Sequence, residues 1–275
     1  MNPLILSRQS PYPAPNPVHQ LSVKIIRPLV TLLVFIGGCS GLSPSSHMPT
    51  LLEQETHPST VIQAKLSRET QQKLHVGLAL LPDMVKSTPP TTLSEDSLAR
   101  FTARTQFELE NKVPLKVQDV VRLEKLEQGK SVEQLKRLGQ EQKFELVLLI
   151  LTSSEEVKSP AYLDASSPDV GNLPGNEIKN YALVEMALVD LQSGKSLIQA
   201  HGRSYALLEQ LDAPLQSNRY PLVTGSASTN RFYPSEGMAL EVLRFVALEE
   251  ALDQAIMRFD AEWQKTLNAP VPRRS

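Results

Sequence analysis

The chain has 275 residues, 41% of them hydrophobic, with 28 Lys and Arg against 30 Asp and Glu for a formal net charge of -2. That length and composition suit one large domain or two small ones and exclude wholesale disorder, and with no basic block there is no electrostatic case for nucleic acid, because phosphate binding needs clustered Lys and Arg. A single cysteine excludes an intramolecular disulfide framework and a cysteine-rich metal site.

Residues 28–36 form a short apolar run, preceded by Lys24 and Arg27 and followed by Gly37, Gly38 and Cys39. Positive charge, short apolar core and small residues, in that order, make a secretory signal. The run is too short to span a bilayer, which takes ~20 apolar residues. Ile36-Gly37-Gly38-Cys39 resembles the lipobox of bacterial lipoproteins. In that family the cysteine is thioether-linked to diacylglycerol, the chain is cut before it, and the new amine is usually acylated. The resemblance implies a removed signal peptide at 1–38 and lipidation of Cys39, with a membrane as partner through the covalent lipid. Cysteine suits the role because a thiolate is a far better nucleophile than a hydroxyl. Several acyl chains give durable anchoring where one gives only marginal binding. Ser40, in the place where an aspartate often retains such proteins at the inner membrane, favours the outer membrane facing the periplasm. The proline-rich stretch at Pro11, Pro13, Pro15 and Pro17 departs from the pattern, and implies an extended leader or a start downstream of Met1.

Residues 39–73 read as lipid anchor and flexible tether, because the stretch to about residue 60 is small, polar and without a sustained period. A single domain is expected over 74–268. It opens with a buried strand at 75–81, closed by Pro82, and a loop with Pro89 and Pro90. Ser94 then caps a helix carrying Leu98, Phe101, Thr105 and Leu109, with Glu95 and Asp96 in its first turn. Leu115, Val117, Val120 and Val121 suit a second strand. Ser131 opens a short helix with Val132, Leu135 and Leu138 on one face. Residues 144–151 are apolar on both faces and predict a strand central in a covered sheet. A loop rich in Ser, Pro, Gly and Asn is expected at 152–179. A hairpin follows, with arms at 181–191 and 196–208 and Gly194 supplying the positive φ of its turn. A second loop, 212–234, holds Pro214, Pro221, Gly225 and Pro234. The last element is a long helix at 235–267 with a broad apolar stripe from Val242 to Trp263, and 269–275 is a loose tail. The fold class is α/β (α+β): a mixed, mostly antiparallel sheet packed by helices, including the long C-terminal one.

The strand 76–81, the helix Ser131–Gln142 leading into 146–151, and the phrase Ala187-Leu188-Val189-Asp190-Leu191-Gln192-Ser193-Gly194-Lys195 resemble the α/β domain of several envelope lipoproteins. These are the curli-secretion lipoprotein, the outer-membrane activators of penicillin-binding proteins, and the N-terminal domain of the Tol-system propeller protein. The likeness covers 74–211. It implies action by binding proteins or by oligomerising, and it transfers no functional residue.

Few residues suggest chemistry. His19, His47, His57, His75 and His201 have no zinc-binding spacing. His75 and His201 are read either as meeting across a sheet or as two surface strand ends. Gly202-Arg203-Ser204-Tyr205-Ala206 is a poor nucleophile elbow, since it lies within a hairpin arm. Ser193-Gly194-Lys195 lacks the upstream glycine of a phosphate loop. Glu155-Glu156 ends a strand, and Glu249-Glu250 reads as a solvated helix face. Arg219, Tyr220, Arg231, Phe232 and Tyr233 are the types that anchor protein interfaces, or else pin their loop to the domain. No catalytic residue, cofactor or metal is expected. The reading is a membrane-anchored envelope lipoprotein with a non-catalytic protein-binding or assembly role and an envelope protein partner. The alternatives are an envelope hydrolase whose site forms only in the fold, and a subunit of a secretion or pore assembly, for which an oligomer is possible.

Overall fold

The computed structural model describes residues 44–66, 73–82, 93–164, 171–212 and 219–269. Cys39, the segment 1–38, the stretch around Pro89 and Pro90, Pro214 and the tail beyond 269 lie outside them.

Seven strands form one sheet in the order β2-β1-β3-β4-β5-β6-β7. They are β1 (Leu74–Leu81), β2 (Leu115–Arg122), β3 (Leu146–Asp164), β4 (Asn172–Asp190), β5 (Lys195–Leu211), β6 (Leu222–Gly225) and β7 (Arg231–Phe232). β1 runs parallel to β2 and β3, and every other neighbouring pair is antiparallel. This is the expected mixed, mostly antiparallel sheet packed by helices. The helices are α1 (Met48–Leu51), α2 (Pro58–Leu66), α3 (Glu95–Lys112), α4 (Ser131–Gln142) and α5 (Ala239–Asn268), the last entered through a short 3-10 turn at Glu236–Met238.

Strand alternation sorts the core into two clusters. Leu74, Val76, Leu78 and Leu80 of β1 and Leu146, Leu148 and Ile150 of β3 pack on the first face, with Ile62 of α2, Phe101 of α3 and the stripe of α5. Ala79, Leu81, Val147, Leu149 and Leu151 point the other way, against Met48 and Leu51 of α1 and Leu135 of α4. The run at 144–151 is apolar throughout because its strand is covered on both faces. Ser94 caps α3 as expected, its side chain accepting from the Ser97 N–H. Gly194 has φ 79° in the β4–β5 turn.

α5 sits unusually close to the sheet. Ala247, Ala251 and Ala255 are fully buried along it. A Cβ built on Gly202 of β5 falls 1.9 Å from the Ala251 carbonyl oxygen and 2.5 Å from the Ala255 nitrogen. Strand and helix backbones therefore meet there, which only glycine permits.

Three expectations are corrected. Residues 152–164 and 172–179 are strand, not loop: β3 and β4 stay in register from Leu146↔Asp190 out to Asp164↔Asn172. Beyond Leu151 the pairing with β1 ends, so the hairpin continues as an arm held by ladder hydrogen bonds, and its sequence loses the apolar run that marked the core. Residues 212–234 are not wholly a loop, since β6 and β7 extend the sheet past β5. Nor is 39–73 a tether throughout. Glu185, 1% exposed in the middle of β4, accepts hydrogen bonds from the His47 N–H at 2.8 Å, the Met48 N–H at 3.0 Å and the Ser46 hydroxyl. The buried carboxylate thus satisfies free N–H groups at the start of α1. Gln54 then bridges Ser196 of β5, and α2 crosses to the first face, where Lys65 meets Glu145 at 2.8 Å and Asp190 at 3.3 Å. The described fold begins at Pro44, which is buried, rather than at Leu74.

Candidate interaction surface

The outer end of the arm brings together what the sequence separates. The Tyr220 hydroxyl donates to the Asp164 carbonyl at 3.1 Å, joining the end of β3 to the segment before β6. The two stretches 152–179 and 212–234 therefore share one end of the sheet. Burial, then Glu209 and Asp164, push the Tyr220 hydroxyl's pKa above its ordinary value. Glu209 lies opposite Glu177 in the ladder, and burial with that like charge raises its carboxyl too.

Of the five candidate interface residues, Arg219 is exposed and Tyr220 is half-buried against Asp164, so Tyr220 fastens the arm. Arg231 and Phe232 form the two-residue edge strand β7, Arg231 facing Thr224. Phe232 is 39% exposed and Tyr233 53%, and further on Met238 just before α5 and Leu240 in its first turn are exposed as well. Tyr162 stands 79% exposed near the tip of the hairpin. Large exposed apolar side chains, when they gather on one surface, mark interaction sites.

The connection leading into β7 is held by Glu250. Its carboxylate accepts from the Ser204 hydroxyl at 2.7 Å, the Ser226 hydroxyl at 3.0 Å, the Ala227 N–H at 3.0 Å and the Ser228 N–H at 3.1 Å. This explains Ser204, whose hydroxyl lies 2.7 Å from that of Ser226 and joins α5 to the β6–β7 connection. Neither acidic pair acts as a unit. Glu156 binds Arg244 at 2.6 Å, while Glu155 falls on the other face beside Tyr181. Glu249 binds Arg104 at 2.7 Å, so 249–250 is not simply a solvated face. His75 and His201 do not approach one another, because β3 and β4 lie between their strands. Among the described residues, no three His, Cys, Asp or Glu converge as metal ligands.

A hollow of about 700 Å³ lies beyond the C-terminal ends of β1 and β2 and is lined by Leu98, Phe101, Arg122 and Leu248. There the connections leave for opposite faces, α3 to the first and α4 to the second, which opens a crevice. Arg122 pairs with Glu95 across its rim at 2.7 Å.

No family model matches the chain, and no curated protein does. Solved structures similar to it at low level include two with wide coverage. One is a neuraminyllactose-binding hemagglutinin homolog from Helicobacter pylori, with 12% identity and TM-score 0.35, covering 72% of this chain and 92% of that one. The other is a hypothetical protein from Chlamydia trachomatis, with 10% identity and TM-score 0.27, covering 72% of this chain and 99% of that one. Likeness this weak carries no functional argument.

Sequence reading missed Tyr162, Met238 and Leu240 on the surface and Glu250 beneath it. Glu185 alone had a signal, as a carboxylate inside the apolar run 182–189.

Proposed function

We propose that the chain is a lipid-anchored envelope protein whose domain has a non-catalytic protein-binding or assembly role. The lipobox resemblance at Cys39 supports the anchor and, with Ser40, an outer-membrane position facing the periplasm. The observation that carries the binding role is the exposed row Phe232, Tyr233, Met238 and Leu240 beside the edge strand β7. With Arg231 beside it in β7, the row brings together aromatic, methionine and arginine side chains, the types enriched where proteins meet. Glu250 holds the neighbouring connection, so little ordering entropy is lost when a partner binds.

Crosslinking in intact cells tests the reading. The wild type, an Arg231→Ala, Phe232→Ala, Tyr233→Ala triple variant and a Tyr162→Ala variant are compared. The triple variant is expected to lose at least ~90% of partner capture, since central interface residues dominate binding, with the unfolding midpoint unchanged. Full capture by a folded triple variant would remove this surface from the function.

A further inference from the structure

The strap that begins at Pro44 determines how far the domain stands from its anchor. The chain is fixed from Ser46 onward, because Ser46, His47 and Met48 all bond Glu185. Only residues 40–43 separate the buried Pro44 from Cys39. At ~3.6 Å per residue, the steps from 39 to 44 span at most ~18 Å. Headgroups occupy several ångströms of that gap. A small protein domain is ~30 Å across, so none fits between.

The strap arrives on the second face of the sheet, and that face decides what meets the bilayer. Glu185 lies opposite His201, Leu183 opposite Arg203, and Tyr181 opposite Tyr205. Directly opposed residues share a face, so these side chains stand on the strap's side. His201 and Arg203 are exposed, and Tyr205 is 44% exposed. The Tyr205 ring leans on Tyr181, centroids 5.9 Å apart. At ~3.4 Å per residue, Tyr205 lies ~14 Å along β5 from the row of Glu185, within the reach of residues 40–43. Tyr and Arg are amphipathic, with an apolar body and a polar tip, and such side chains settle at the headgroup level.

We propose that this stretch of sheet face, His201, Arg203 and Tyr205 beside Tyr181, rests on the phospholipid headgroup layer that holds Cys39. The inference rests on the lipid-anchor reading. It sets the domain down on the membrane, in place of a domain swinging on a long tether.

The test uses the full chain, processed by cells and reconstituted in vesicles of phosphatidylethanolamine and phosphatidylglycerol with a headgroup-linked acceptor dye. Cys39 is the sole natural cysteine, so once it is alkylated an introduced thiol is the only one free to take a donor dye. Tyr205→Cys and Arg203→Cys report on the proposed face, and Phe107→Cys, exposed on α3 of the opposite face, is the reference. Energy transfer is expected to be at least ~2-fold higher from 205 and 203 than from 107. A Gly/Ser insertion of ~20 residues after Ser40 should abolish the difference. Intact mass, read first, separates the two ideas: no acyl chains would end the anchor reading and this one together. Acylated protein with equal transfer from all sites, or a difference that survives the insertion, overturns the docking face alone. Proximity in native membranes but not in vesicles overturns it in favour of a protein neighbour.

Discussion

Asp190 closes the β4–β5 turn and ties it to a distant helix. Its carboxylate accepts from the Ser193 N–H at 3.0 Å and the Ser193 hydroxyl at 2.7 Å, and Lys65 of α2 lies 3.3 Å away. Burial alone would push this carboxyl's pKa up, but the Ser193 hydrogen bonds and the Lys65 charge outweigh it and leave it below the ordinary value. A carboxyl lowered in the fold stabilises it above the unfolded pKa of ~3.9, and that contribution is lost as pH falls through the lower folded value. Asp190→Asn should therefore cost ~1–3 kcal/mol at neutral pH, and its deficit should shrink steadily below pH ~4. Urea unfolding of both proteins across that range checks this; a deficit that stays constant would assign the loss to shape, not charge. The turn itself was legible, since Asp190, Gly194 and Lys195 are turn chemistry. Its link to Lys65 was not, because nothing local in 58–66 points to a carboxylate so far along the chain.

Elements were readable where burial is periodic or continuous. α3, α4 and α5 repeat apolar residues at helical spacing, β1 and the first part of β3 are unbroken apolar runs covered on both faces, and each occurs where expected. The outer parts of β3 and β4 were missed for a physical reason. Ser159, Pro160, Gly175 and Asn176 belong to strands whose order comes from the partner's backbone, which leaves no hydrophobic pattern. β6 and β7, four and two residues long, are too short for any period to show. The α5 stripe was clear, but not that alanines let the helix settle onto Gly202. Gly202→Ala should destabilise by ~1–3 kcal/mol, because the new methyl meets backbone atoms that cannot rotate away. Gly237→Ala, with nothing within 4 Å of the added carbon, should leave the midpoint unchanged. Equal thermal melts for the two variants would mean α5 shifts freely on the sheet.

Across the whole molecule, sequence conveyed the class of fold and its C-terminal clamp but misplaced the N-terminal boundary. Residues 44–66 show no sequence period because hydrogen bonds to Glu185 and Ser196 and scattered apolar anchors, Met48, Leu51, Leu52 and Ile62, hold them in place. The outer row was half legible: Phe232 and Tyr233 stood out by type, whereas Met238 and Leu240 look like ordinary helix-face residues until the fold leaves them exposed. The strap has a mechanical consequence. A load applied from the N-terminal side reaches the α1 clasp and the Gln54 bridge before it reaches any paired strand. Hydrogen bonds gathered at one carboxylate open in sequence, like a zipper, whereas the long β3–β4–β5 ladders resist together. Under tension the strap is a fuse: single-molecule pulling should show a first release of ~70 Å, the extended length of 46–66, at a force well below that which breaks the sheet. A single all-or-none rupture would show that strap and sheet share the load. With the fuse open, a domain seated on its support becomes one on a long line, able to reach what stands above it without unfolding its core.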